Sequence, residues 1–181
     1  MTRPMALSVT IATVRMGITF RETVAEVELG LVSDDQLPDI ATAGLLEGYH
    51  SPALSALAGQ FGEPFDPVEV EGLWGTAVQE LQLLPDDRTE AAKIVVRAYA
   101  RLVVEGELPP QLGASKIAGV HRIVQHAGCD RRAPGDCIDA ADVIRLFYAQ
   151  DGRGYFKQPA HDSVDLHIVE ECRRLAHLPA A

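Results

Sequence analysis

Residues 22 to 87 contain no lysine or arginine, yet they hold fourteen aspartates and glutamates. The chain lacks other things as well. Its three cysteines, an odd number, cannot make the paired framework that staples small secreted domains. No uninterrupted apolar run approaches the roughly eighteen residues of a membrane span. There is no His-Glu-x-x-His, no Gly-x-Ser-x-Gly and no Gly-x-Gly-x-x-Gly, so zinc-protease, serine-hydrolase and dinucleotide-binding signatures are missing. Internal repeats and long linkers are absent too, which points to one domain rather than an array.

The remaining composition is that of an ordinary globular protein. The 181 residues are 47% hydrophobic and 23% charged, enough for a sizeable core. The net charge of −10 is unevenly spread. Residues 88 to 181 nearly balance, with thirteen basic and twelve acidic side chains, so the excess of negative charge belongs to the lysine- and arginine-free stretch. Such a stretch is read either as a solvated acidic surface, answered in part by the arginine-bearing helices of the second half, or as an electronegative face that attracts a basic protein and repels nucleic acid and anionic membrane. "MALSVTIATV" after Arg3 has some character of a signal-peptide core, but Arg15 follows and no small-x-small cleavage pattern is convincing. The expected location is the cytoplasm.

Periodicity predicts an all-α fold of seven to eight helices over residues 19–181, with residues 1–18 as an extended or loose arm. Within the arm, Leu7, Val9 and Ile11 alternate with Ser8 and Thr10, a strand-like pattern. Helix starts are marked by polar caps followed by proline or acid. "TFRE" from Thr19 to Glu22 has capping-box spacing, Ser33 precedes Asp34 and Asp35, Ser51 precedes Pro52, and Asp66, Pro67 and Glu69 form another box. Gly48 and Gly59 mark helix ends. The strongest helix, 88–105, sets Ala91, Ile94, Val95, Ala98, Tyr99 and Leu102 against a row of Lys93, Arg97, Arg101 and Glu105. Further helices are expected at about 110–127, 137–150 and 160–177.

Chemistry-bearing residues concentrate late. His121, His126, Cys129 and Cys137 fall within seventeen positions, but the two histidines stand about 140° apart around a helix, too far to share a metal. The cysteines lack zinc-site spacing. A helix end at Gly128, a loop, and a new helix capped by Asp136 with Asp139 in its first turn account for the whole stretch. In the last helix, His161 with Asp165 and His167 with Glu171 stand four apart, the spacing of an acid–base or ligand pair and equally of a surface helix pair. Trp74, flanked by Gly72 and Gly75, is the one large aromatic of the acidic stretch, suited to the core or to an interface.

The segments "LPDIATAGLLEGYHSPALSALAGQ", "ELQLLP", "ARLVVEGELPPQLGASKI" and "VEECRRL" together resemble a family of small actinobacterial proteins that share a "DSPAL…LAG" segment and a Gly-Glu-Leu-x-Pro turn. Tyr49 and His50 stand where that pattern has Asp before "SPAL". The resemblance implies a helical fold; it carries no assigned activity and no site residues. The expectation is therefore a non-enzymatic, immunity-type or adaptor protein that needs no cofactor or metal. It would meet a basic protein partner through Glu63, Asp66, Glu69, Glu71 and Trp74. The competing class is a small helical enzyme or ligand-binding domain using His161, Asp165, His167 and Glu171.

Overall fold

The computed structural model describes residues 17–60, 66–126, 138–151 and 161–177. Among these residues there are eight α-helices and no strand. The helices are α1 (Phe20–Glu28), α2 (Leu37–Leu46), α3 (Pro52–Ala58), α4 (Pro67–Glu80), α5 (Arg88–Val104), α6 (Pro110–His126), α7 (Ala141–Asp151) and α8 (His161–Ala176).

Local chemistry sets most of the helix starts. The Thr19 hydroxyl accepts from Glu22 N at 3.3 Å, and the Glu22 carboxylate accepts from Thr19 N at 2.8 Å, a complete capping box. Ser51 caps α3 by accepting from Leu54 N, and Asp87 caps α5 by accepting from Glu90 N. Asp66 caps α4 alone: it accepts from the amides of Val68 and Glu69, whereas the Glu69 side chain turns away and accepts from Gln60 Nε2. The box expected there is thus half made.

Two further starts differ from the sequence expectation. The Ser33 hydroxyl is taken by Asp35, so it caps nothing, and a 3-10 turn at Asp34–Gln36 precedes α2. Asp139 lies before α7, not in its first turn, because its backbone is left-handed at φ 58° and cannot continue a helix. Asp136, Gly128, Cys129 and Cys137 lie outside the described residues. So does most of the expected N-terminal arm; of its last two residues, Ile18 packs against the C-terminal core and the Gly17 carbonyl accepts from Arg101.

The buried side chains form two clusters. The first unites Phe20 and Val24 of α1 with Leu37, Leu54, Leu57, Val70, Trp74 and Val78 from α2 to α4. It is close-packed: a Cβ on Gly44 would come within 2.6 Å of the Phe20 ring, so only glycine lets α2 lie that near α1. The second unites Ala25 of α1 and Leu29 just past its end with α5, α6, α7 and α8, and includes Val95, Ile117, Ile144 and Ile168. Helix α1 belongs to both. Helix α5 buries Ala98 and Leu102 as its stripe requires and leaves Ile94 half-buried. It also buries Ala92, Val96, Ala100 and Val103, because α1, α6 and α8 enclose it on several sides. Its outward strip narrows to the row of Lys93, Arg97 and Arg101, each half-buried.

Where the clusters meet along α1, Glu26 is 2% exposed and accepts a 2.6 Å hydrogen bond from the Tyr99 hydroxyl. Nearby, Arg101 donates to Glu22 at 2.9 Å and to Glu105 at 3.0 Å. Partial burial acts to lower the guanidinium pKa, but the charges and hydrogen bonds of the two carboxylates outweigh it and raise the pKa above its usual value.

Candidate functional site

Helix α4 presents the acidic candidates. Its inner stripe of Val70, Trp74, Ala77 and Val78 is buried. This leaves Glu69, Glu71, Gly72, Gly75 and Thr76 exposed on the outside, with Val68 79% exposed near the amino end. Asp66, Glu69 and Glu71 are exposed, and among the described residues none of them forms an ion pair. Surface carboxylates of the C-terminal half behave differently: Asp142 pairs with Arg145, Glu170 with Arg173, and Glu171 with Arg174. The acidic lobe has no cation of its own after Arg21; of the α5 arginines, Arg101 goes to Glu22 and Arg88 to the Leu29 carbonyl, so neither meets α4.

Trp74 does not belong to this surface. It is 5% exposed and meets the Phe20 ring edge-on at 6.0 Å between centroids. An amphipathic helix turns its largest apolar residue inward, so Trp74 packs in the core, one of the two places the sequence allowed for it. Glu63 lies outside the described residues.

The described histidine–carboxylate candidates of α8, His167 and Glu171, do not assemble as an acid–base pair. His167 is exposed, with Nδ1 2.6 Å from the Ser163 carbonyl of the preceding turn. Glu171 accepts from Arg174 Nε at 2.9 Å, and Asp165 accepts from Gln111 Nε2 at 3.3 Å. His161 opens α8, and its side chain lies outside the described residues. Cys172, on the inner face, is no nucleophile: burial, helped by Glu171, pushes its thiol pKa up to about 12. Among the described residues no three of His, Cys, Asp and Glu gather as a metal site. No described helix is long and apolar enough to cross a membrane.

An open cleft of about 280 Å³ lies between Arg21 of α1, the turn at 82–87 and the first turns of α5. Its walls oppose Arg21 and Lys93 to Asp86, Asp87 and Glu90, a mixture that selects for no one charge. No protein-family model, curated protein or solved structure matches this chain. The roles of its residues therefore rest on geometry and charge.

Sequence reasoning missed Glu26 and underweighted His121. Glu26 looks like any solvated acid of α1, but it is buried and bonded to Tyr99, 73 positions away. His121 carried a local signal, since it occupies an otherwise apolar helix face one turn from Ile117 and Val124.

Proposed function

We propose that the protein acts by binding rather than catalysis, as a cytoplasmic interaction protein whose acidic lobe receives a basic partner. The observation that carries this reading is the outer face of α4, where Asp66, Glu69 and Glu71 stand exposed, with no ion pair among the described residues, in a stretch without one lysine or arginine. Like charges held together on a folded surface repel one another, and a partner that supplies cations relieves that repulsion. The attraction acts over about 8 to 10 Å at physiological salt and speeds encounter more than it strengthens the final complex. Trp74 contributes by holding α4 against the lobe, not by touching the partner. The engagement of His167, Asp165 and Glu171 with other groups favours this reading over an acid–base site on α8.

The test is capture of partners from host lysate at low and at high salt, by the native protein and by a Glu69→Lys/Glu71→Lys variant. The Glu107→Lys/Glu170→Lys variant, equal in charge change but remote from α4, is the control. Retention that falls with salt and with the α4 variant, and not with the control, supports the reading. Retention indifferent to both would leave the acidic face a solvated surface.

A further inference from the structure

His121 is out of place in the C-terminal core. It sits mid-α6 with Ile117, Ala118 and Val124 buried within a turn, and it is itself 3% exposed. Both ring nitrogens are buried and neither has a hydrogen-bond partner. A neutral imidazole there forgoes its bonds to water; an imidazolium would add a buried, unpaired charge, which is far more costly. Desolvation accordingly lowers the His121 pKa below the usual histidine value.

Among the described residues, the helices packed on α6 offer the cation nothing. From α5 the titratable core side chain is Tyr99, whose hydroxyl is bonded to Glu26 and whose ring lies 5.0 Å from Lys116 Nζ. From α8 it is Cys172, which stays a neutral thiol. Helix α7 gives this core Val143 and Ile144, which do not titrate. The described carboxylates on α7 and α8 are occupied at the surface: Asp142 with Arg145, Asp165 with Gln111, Glu170 with Arg173 and Glu171 with Arg174. The nearest charges on α6, Lys116 and Arg122, are exposed and have the sign of an imidazolium. In the other lobe, His50 is exposed and α2 to α4 do not rest on α6.

We infer that His121 is a proton-operated release: acidification frees α6 from α5 and α8 and opens the C-terminal core, while the core of α2 to α4 stays closed. The sign follows from linkage. As pH falls through about 6.5, an opened chain takes up a proton on His121 that the closed core refuses. The closed form is then disfavoured by up to about tenfold per pH unit until its own lowered pKa is reached, and above about pH 7 the effect vanishes.

The test is amide hydrogen exchange on the full chain at pH 7.5 and 5.5, corrected for intrinsic rates, for the native protein and His121→Leu. Expected is a loss of protection of about fivefold to tenfold across 110–126, 141–151 and 161–176 in the native protein, with 37–46, 52–58 and 67–80 changing less than about twofold. The variant should show no such loss. Unchanged protection in the native protein, an equal loss in both lobes, or the same loss in the variant overturns the inference. Should His121→Leu fail to fold, an NMR titration of the native imidazole decides: titration near 6.5 with the core still closed overturns it, and a ring that remains neutral until the core opens supports it.

Discussion

The two lobes solve the same packing problem with different materials. The first closes around rings, with Trp74 and Tyr49 against Phe20 and leucines filling the remainder. The second is assembled mostly from alanine, valine and isoleucine, which let α5 lie close to three neighbours at once. Their surfaces diverge further. Glu105, Asp142, Glu170 and Glu171 of the second lobe are each met by an arginine three or four residues away, while the acids of α4 have no such partner among the described residues. Exposed pairs add little to stability, about 0 to 1 kcal/mol each, so folding alone does not require either arrangement.

The sharpest way to break the comparison is to empty the aromatic core. Trp74→Ala should cost about 3–5 kcal/mol, read from the denaturant midpoint by circular dichroism, since the chain has one tryptophan. In the native protein that same tryptophan reports on the first lobe alone. Next in size is the seam between the lobes: Tyr99→Phe removes a donor to buried Glu26 and should cost about 1–3 kcal/mol. An effect below about 0.5 kcal/mol would show that the carboxyl is equally well held without the phenol.

The remaining predictions concern α4 itself. A Cβ on Gly72 would meet nothing within 4 Å, so Gly72→Ala should stabilise the protein by about 0.5–1 kcal/mol through helix propensity alone. A loss instead of a gain would show that the outer face of α4 is more crowded than this geometry allows. Glu69→Lys/Glu71→Lys should shift stability least, by less than about 0.5 kcal/mol, measured by the same unfolding experiment. A larger shift would tie the acidic face to folding and weaken its reading as a binding surface.

What the sequence disclosed was mostly short in range. Caps at Thr19, Ser51 and Asp66 bond to amides two or three residues away, so their chemistry is written locally. The stripe on α5 was legible at Ala98 and Leu102 for the same reason, and with it the helical class of the fold. The second buried side of α5 was not, because it depends on α6 and α8, which the spacing along α5 does not encode. Asp139 misled because an aspartate before a helix reads as a cap or first-turn acid, whereas here it takes the left-handed conformation that turns the chain into α7. Of the candidate contact surface, the absence of cations and the exposure of α4 could be read in advance. That Arg101 would neutralise Glu22 and leave Glu69 and Glu71 alone could not, since that pairing crosses 79 positions.

Helix α1 has two sides with different schedules. Phe20 and Val24 need only α2 to α4, whereas Ala25, Leu29 and Glu26 wait for α5. During synthesis the 73 residues between Glu26 and Tyr99 take about 4 to 15 s to appear. For that interval a closed acidic lobe would hold a finished helix with one face bare, and its carboxylate would still be in water. That bare face fixes where α5 must lie when it arrives. The second lobe thus rests on a helix of the first, and α1 is enclosed on both sides only once α5 is in place.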